Sequence, residues 1–400
     1  MDRNLNYSDI LSLEQLKKLG TIGYADARGT SRVAYSDAFF EGRDYVRECM
    51  ESAGLVTRID SVGNLFGVKK GKSERKLLIG SHIDTVPNGG IYDGTLGVFA
   101  GIELVRRLSA AGYENYFTIE LVAWNEEEGN AVGGTFGSRF FIGEEITGHE
   151  LEKAARFGIS RQDTLNACGD LKNYVAYLEL HIEQGGLLEA ADRKLGVVEG
   201  IVGIVRYRAS VAGTANHAGS TPMSLRDDAL EKSCILIADL MKRVREQENG
   251  MVCTVGVFDV PNSAVNVIPA NTEFIIEMRY KSIPEMKQLM QTMKSDYEQA
   301  GFAAELYLEQ IETSMDKSLI EKCERICRDS GLAYRRMYSG AGHDAMNIAR
   351  VIPSAMLFIP SVGGVSHTIR EYSRDEDVLV GFRAIEQLYL EIDGEHKHEN

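Results

Sequence analysis

Cysteine is scarce in this sequence: six residues are scattered along 400, and no CxxC pair occurs. This pattern favours reduced, mostly buried thiols in a reducing compartment over a disulfide scaffold. Apolar runs of transmembrane length are also missing, and the first residues, MDRNLNYSDILSLEQL, contain no signal-peptide core. We therefore predict a cytoplasmic protein without a membrane-spanning segment.

Positive charge is in deficit, with 44 basic against 59 acidic residues and a net charge of −15. An acidic surface disfavours non-specific binding to nucleic acid or to an anionic membrane, so we expect neither partner. Prolines number only seven, and no proline-rich linker or repeat interrupts the sequence. The length allows two or three domains built from compact elements that are joined by short loops.

Apolar patterns in the first half predict strands that alternate with helices. We predict strands at 76–79, 117–124 and 175–180 and a helix at 94–108. Strands alternating with helices indicate an α/β sheet, in which ligand sites gather at the carboxyl ends of strands. The motifs SHIDT, NEEEG and HIEQG follow these three strands, so three polar clusters are expected where strands end.

A second domain is predicted in the middle of the chain. Its predicted elements, in order, are strand 206–212, helix 223–245, strands 251–260 and 271–280, helix 284–300 and strand 303–308. This order is the split βαβ pattern of a ferredoxin-like (βαββαβ) domain. We place it at 208–316, inserted into a discontinuous α/β domain that has a central mixed sheet and is formed by 1–207 and 317–400.

The first polar cluster, SHIDTVPNGGIYDG, contains His82, Asp84 and Asp93. Imidazole and carboxylate groups are suitable ligands for Zn²⁺, Mn²⁺ or a similar ion, and the two oxygens of Asp93 could bridge two ions. Asp84 could accept the far imidazole N–H of His82 and so fix its tautomer. The alternative is a polar loop with an ordinary exposed histidine.

The second cluster consists of three consecutive carboxylates, Glu126, Glu127 and Glu128, directly after an apolar strand. Adjacent carboxylates repel each other, and a buried strand end is a poor place for them unless a cation is near. Neighbouring side chains point in different directions, so one glutamate could bind a metal while the previous one acts as a base. The alternative is a solvated acidic turn.

Histidines are few and unevenly placed. Of the eight in the chain, five lie in glycine-rich or strand-end loops: His82, His181, His217, His343 and His367. The others lie in charged or polar stretches: His149, His396 and His398. A single histidine at a strand end is more often structural than a ligand, but chance placement explains five such loops poorly.

Seven strings between about residues 80 and 373 carry a resemblance to a known family: GSHIDTVPNGGIYDGTLGV, NEEEG, LELHIEQG, GTANHAGSTPM, NVIPA, SGAGHDA and PSVGGVSHTIREYS. In this order and spacing they resemble the M20-type metallopeptidase superfamily, in its hydantoinase/carbamoylase amidase branch. That branch contains N-carbamoyl-L-amino acid hydrolases, allantoate amidohydrolases and β-ureidopropionases. The resemblance implies an α/β catalytic domain with an inserted βαββαβ lid, and this fold agrees with the α/β domain and inserted domain that the apolar patterns predict.

The resemblance implies a metal site and assigns roles to individual residues. The implied ligands of two divalent ions (Zn²⁺, Mn²⁺, Co²⁺ or Ni²⁺) are His82, Asp93, Glu128, His181 and His367, with Asp93 as the bridge. Glu127 would be the general base, with Asp84 and His217 as further catalytic residues. The implied substrate contacts are Gln184, His217, Asn266, Arg279 and His343.

The function implied is hydrolysis of a carbamoyl (ureido) or related linear amide C–N bond on a small carboxylate substrate. Arg279 would pair with that carboxylate, and the inserted lid would form a homodimer. The simpler interpretation of Arg279 is a surface arginine at a strand end, and that of Asn266 is a turn residue. Rival functions are an aminopeptidase or N-acyl-amino acid deacylase on the same fold, and a catalytically inactive binding protein.

The sequence departs from the family pattern in two places near the expected base. Glu126 stands where a neutral polar residue is common, and Asn130, Ala131 and Val132 follow where Ser/Ala-Arg-Phe is frequent. Both departures bear on substrate preference more than on the reaction type.

Overall fold

The computed structural model describes residues 11–395, so the first ten residues, His396 and His398 lie outside the described residues. The chain divides into two compact units, of which one is Met1–Glu199 with Ser314–Asn400 and the other is Gly200–Thr313. The sequence-based boundary at 208 falls inside a strand that begins at Gly203. The strand before it ends at Ile201, so only one residue separates the two strands.

The strands are β1 Tyr24–Ala25, β2 Gly29–Thr30, β3 Val56–Ile59, β4 Leu65–Lys69, β5 Ser73–His82, β6 Phe117–Trp124, β7 Tyr174–Ile182, β8 Leu195–Ile201, β9 Gly203–Ala212, β10 Val252–Asp259, β11 Asn271–Tyr280, β12 Phe302–Gln310, β13 Thr313–Ser314, β14 Tyr334–Ser339 and β15 Ser354–Ile359. The α-helices are α1 Leu11–Leu19, α2 Asp37–Ser52, α3 Thr95–Ala110, α4 Phe136–Phe141, α5 Gly148–Ala155, α6 Arg161–Asn166, α7 Leu187–Ala190, α8 Ala229–Glu246, α9 Ile283–Asp296, α10 Lys317–Asp329, α11 Ala345–Ile348 and α12 Asp375–Glu395.

The discontinuous unit is built on a mixed sheet with the order β13-β8-β15-β7-β5-β6-β4-β3, and β14 pairs with β8. Its centre is parallel, because β15 pairs with β7, β7 with β5 and β5 with β6 in the same direction. The strands toward one end, β3 and β4, are antiparallel to their neighbours. The predicted α/β class with a central mixed sheet is therefore confirmed.

The parallel centre of this sheet is fully buried. All eight residues of β6, FTIELVAW, are buried, as expected for a strand covered on both faces. Helix α3 packs against β5 and β7, and a Cβ atom at Gly97 would stand 2.6 Å from the Leu180 carbonyl oxygen. Glycine at this position lets the helix lie close enough to the strands to hold its first turn beside their carboxyl ends.

The inserted unit contains the predicted order of strand, helix, strand, strand, helix and strand. Its antiparallel sheet has the order β10-β11-β9-β12, and α8 and α9 pack on it around a core of buried apolar residues. The helix predicted from 223 begins at Ala229 instead, because the Asp228 side chain accepts the amides of Leu230 and Glu231 and caps the helix there. Residues Met223–Leu225 form a separate 3₁₀ turn.

Two findings concern the predicted environment of the protein. Among the described residues, every helix is too short or too polar to cross a membrane. The six cysteines, all within residues 11–395, are free thiols.

Candidate metal centre

The three polar clusters of the sequence meet at one edge of the mixed sheet. Strands β5, β6 and β7 are parallel neighbours, and their carboxyl ends carry His82, Trp124 and Ile182. His181 is the penultimate residue of β7, and the three glutamates follow β6 after Asn125. The topology therefore explains why residues that are far apart in sequence share one site.

Asp93 joins two sets of metal-capable side chains. Its Oδ1 atom lies 3.5 Å from His82 Nε2 and 3.1 Å from His181 Nε2. Its Oδ2 atom lies 3.1 Å from His367 Nε2. We call His82, Asp93 and His181 the first set, and Asp93, Glu128 and His367 the second set. Within each set the ligand atoms lie within 4.8 Å of one another, so one carboxylate could hold two ions.

The two imidazoles of the first set are oriented by backbone carbonyls. His82 Nδ1 lies 3.0 Å from the Asp84 carbonyl oxygen, and His181 Nδ1 lies 2.9 Å from that of Ile182. The Gly94 amide donates to His181 Nε2 at 3.1 Å, which makes Nε2 the acceptor and Nδ1 the protonated nitrogen. With Nδ1 on a backbone carbonyl, Nε2 is the nitrogen that can bind a metal, and it faces Asp93.

The role found for Asp84 differs in detail from the predicted one. The atom that orients His82 is its backbone oxygen, while its carboxylate Oδ1 stands 3.6 Å from the ring nitrogen. The carboxylate accepts the backbone amides of Glu127 at 3.2 Å and Glu128 at 3.1 Å. Asp84 therefore fixes both sides of the site, the imidazole and the acidic turn.

The three glutamates point in different directions because the chain turns at Glu126, whose φ is +58°. Its carboxylate accepts the amides of Ala131 and Val132, both at 2.6 Å, away from either set. Glu127 Oε2 lies 3.7 Å from His82 Nε2, and Glu128 Oε1 lies 3.7 Å from His367 Nε2. The acidic departure at Glu126 thus has a structural use, which is to hold the loop that follows.

The electrostatics of the site fit a cation. Glu128 Oε1 is buried without a hydrogen-bond partner among the described residues. Burial and the nearby Asp93 charge raise the pKa of Glu128 to about 7, and burial raises the pKa of Glu127 well above its usual range. A divalent ion would supply the missing partner and favour the ionised carboxylates. The imidazole and carboxylate donors therefore suit a metal such as Zn²⁺ or Mn²⁺.

Two residues that are predicted to contact substrate, Gln184 and His343, lie in the discontinuous unit. Gln184 donates through Nε2 to Asp93 Oδ2 at 2.7 Å, and the same nitrogen lies 3.3 Å from His367 Nε2. His343 is buried beside His181, with the ring centroids 4.4 Å apart, and its Nε2 lies 2.9 Å from Ser339 Oγ. Burial holds the pKa of His343 well below its usual range, so the ring is neutral. Its contact with substrate stays a prediction.

The other predicted contacts, His217, Asn266 and Arg279, lie in the inserted unit. His217 is exposed, and its Nδ1 accepts the amides at 219 and 220, which leaves Nε2 as the protonated nitrogen. The Asn266 carbonyl accepts the amide of Ala218, so the loops that carry His217 and Asn266 are joined. Arg279 Nε donates to Glu277 at 2.8 Å.

Two buried carboxylates near the site are absent from the sequence-based assignment. Glu179 accepts the Ser81 hydroxyl, the Tyr177 hydroxyl and the Ala345 amide. An acidic residue inside an otherwise apolar strand is the signal that could have revealed it. Glu371, in the string that contains His367, gave no such signal because two of its partners, the amides of Tyr92 and Asp93, lie in a distant loop.

Comparison with known proteins gives consistent matches. Residues 78–391 match the family model described as peptidase family M20/M25/M40. The allantoate amidohydrolase of Bacillus subtilis (strain 168) is 34% identical over 95% of this chain and 96% of that protein. The N-carbamoyl-L-amino acid amidohydrolase of Geobacillus stearothermophilus is 33% identical over 92% and 94%. The crystal structure of a hydantoinase/carbamoylase family amidase from Burkholderia ambifaria superposes with a TM-score of 0.88, at 30% identity, over 98% of this chain and 99% of that one.

Proposed function

This chain belongs to peptidase family M20/M25/M40, and from that premise we propose that it is a two-metal amidohydrolase of ureido carboxylates. It would cleave a carbamoyl C–N bond, as in an N-carbamoyl-L-amino acid or allantoate. The observation that carries the proposal is Asp93, whose two oxygens face two separate sets of metal-capable side chains. The names of its relatives support the bond type, because both substrates named combine a ureido group with a carboxylate.

The family is metal-dependent, and the described residues include groups suited to hold metal ions. In our proposal the first set holds one ion and the second set holds the other. Bound divalent ions supply Lewis-acid polarisation of a carbonyl oxygen and a lower pKa for water. Zn²⁺, Mn²⁺, Co²⁺ and Ni²⁺ all suit imidazole and carboxylate ligands, so the donor set leaves the choice among them open.

Glu127 is the residue that moves the proton. Its Oε2 atom faces the first set, and Asp84 fixes the backbone of Glu127 through the amide. Glu127 takes a proton from the water that attacks the carbamoyl carbon. It then gives that proton to the nitrogen that leaves as the C–N bond breaks. Burial keeps the carboxylate poorly hydrated, which strengthens it as a base.

The inserted unit supplies the remaining groups that we propose contact the substrate. Arg279 would form paired hydrogen bonds with the substrate carboxylate, and Glu277 holds the guanidinium in place through Nε. His217 and Asn266 would donate to the developing oxyanion. The joined loops of these two residues support a common role.

A substrate panel tests the bond preference. We expect the metal-loaded enzyme to release ammonia from N-carbamoyl-L-amino acids or allantoate. Its kcat/KM for these substrates should be at least about 100-fold above that for N-acetyl-L-amino acids and dipeptides. A site that hydrogen-bonds the ureido group is left with unpaired polar groups when it binds the other ligands. An alkylurea without a carboxylate is the matched control, and its kcat/KM should fall roughly 10- to 100-fold through loss of a charged hydrogen-bonded pair. Preferred hydrolysis of the N-acetyl compounds or dipeptides would favour the deacylase or aminopeptidase rivals. Failure to bind divalent ions would favour the inactive binding protein.

We also propose that the inserted unit forms the homodimer. Strand β10 is an edge of its sheet, and Val252, Val257 and Phe258 on that strand are exposed. Ile235 on α8 is exposed as well. A long edge strand with apolar side chains is a natural surface for pairing with a second copy.

Val257→Lys tests this surface, since Val257 is 60% exposed and its replacement costs little in the folded monomer. Sedimentation equilibrium should show a dimer for the parent chain and a dimer dissociation constant at least about 100-fold weaker for the variant, because a buried unpaired charge costs several kcal/mol. Val351→Lys, at an exposed valine of the other unit, is the control and should leave the dimer intact. A parent monomer at micromolar concentration, or an unaffected Val257→Lys dimer, would refute the assignment.

A cytoplasmic location completes the proposal. The free thiols support a reducing compartment, where unpaired cysteines persist. The net charge of −15 argues against a nucleic-acid partner.

A further inference from the structure

We infer that Glu371 is a positioning residue that fixes the second metal-ligand set by tying the loop of Asp93 to the loop of His367. The inference rests on the proposed two-metal function. It extends that function by assigning a separate determinant to the affinity of one of the two ions. Glu371 belongs to neither set of ligands, so its action is indirect.

One oxygen of Glu371 holds the Asp93 loop. Oε1 accepts the backbone amide of Tyr92 at 3.0 Å and that of Asp93 at 3.1 Å. Two consecutive amides on one carboxylate oxygen fix the direction of the peptide that carries the Asp93 side chain. The bonds are charge-assisted and buried, since Glu371 is only 6% exposed.

The other oxygen of Glu371 holds the His367 loop. Oε2 accepts the Ser366 hydroxyl at 2.7 Å and the His367 amide at 3.3 Å. The same hydroxyl lies 3.2 Å from Asp93 Oδ2, the atom that faces His367. Asp93 and Glu371 are 278 positions apart in sequence, so two distant segments meet on a single carboxylate.

His367 needs such support more than the other ligands do. Its side chain is 48% exposed and its φ is +57°, an unfavourable backbone conformation for a residue with a Cβ. His82 and His181 are buried at strand ends, and their rings are oriented by local carbonyls. Loss of Glu371 should therefore weaken the second set selectively and leave the first set largely intact.

The loop that contains Gly90 leaves space for the Glu371 carboxylate. A Cβ atom at Gly90 would stand 2.1 Å from Glu371 Oε1 and 2.2 Å from its Cδ. Gly90 has no positive φ, so its backbone tolerates alanine, and the absent side chain provides room for Glu371. Gly90→Ala is therefore a second way to displace the carboxylate, without changing its chemistry.

Glu371→Gln is the direct test because it is nearly isosteric. The glutamine oxygen can keep the amides of Tyr92 and Asp93, whereas its NH₂ then faces the His367 amide as a second donor. The reverse orientation would set two amides against NH₂ instead of one. Titration of the metal-free chain with Zn²⁺ or Mn²⁺ by calorimetry should show one ion bound as in the parent and the other weakened roughly 10- to 100-fold, the usual cost of losing a positioning contact.

Asp393→Asn is the matched control. Asp393 is also a fully buried carboxylate that accepts two backbone amides, those of Tyr116 and Phe117, but it belongs to neither metal-ligand set. Its variant should lower the melting temperature and leave both metal affinities unchanged. Gly90→Ala, which displaces the whole carboxylate, should weaken the second ion at least as much as Glu371→Gln does.

The outcomes separate this inference from the proposed function. Two ions in the parent chain with unchanged or equally weakened binding of both in Glu371→Gln would refute the positioning role alone. A parent chain that binds no divalent ion would refute the two-metal function and the inference with it.

Discussion

Glu127→Gln should lower kcat by roughly 10³- to 10⁴-fold, the upper range for the loss of a general acid–base residue. The amide of glutamine cannot accept the proton of the attacking water, and so it has none to return to the leaving nitrogen. Glu127 belongs to neither metal-ligand set, so both ions should bind as in the parent chain. Steady-state ammonia release, together with metal analysis of the same preparation, measures both effects.

Glu126→Gln is the control for this experiment. It changes the neighbouring carboxylate, which is buried in the same acidic turn but directed toward the amides of Ala131 and Val132. Both amides share one oxygen of Glu126, so a glutamine oxygen can keep them, and kcat should change little. If Glu127→Gln retained more than about a tenth of the parent activity, the assignment of the base would be wrong, since loss of a base costs at least 10²-fold.

Strands whose apolar or alternating pattern spans their full length can be predicted from the sequence. Strands β6 and β11 begin and end where the apolar and alternating runs predict. Strand β8, LGVVEGI, contains two glycines and a glutamate and lacks such a pattern. It is a strand because β14 and β15 pair with it, and this pairing depends on residues more than a hundred positions away.

The residues of the site can likewise be predicted only in part from the sequence. Which residues end parallel strands can be predicted from the sequence, and this brings His82, His181 and the acidic turn together. The direction in which each carboxylate points cannot be predicted from the sequence, because it depends on the hydrogen-bond donors that surround it. Glu126 turns toward a following loop, and Glu371 joins two distant loops.

Asp93→Asn should have the largest effect on metal binding, because Asp93 is shared by both sets. Asparagine keeps one oxygen, carries no charge and places NH₂ either against His82 and His181 or against His367. We expect both ions to bind more than about 100-fold more weakly, beyond the cost of losing a positioning contact, and hydrolysis to fall below detection. Calorimetric titration with Zn²⁺ or Mn²⁺ measures the two affinities.

His82→Asn and His367→Asn test whether Asp93 serves both ions or only one. His82 belongs only to the first set and His367 only to the second, so each variant should weaken one ion and spare the other. If Asp93→Asn also weakened only one ion, its carboxylate would serve a single metal and the two-ion arrangement would be wrong. If it weakened both while each histidine variant weakened one, the two oxygens of Asp93 would act as the geometry indicates, one toward each ion.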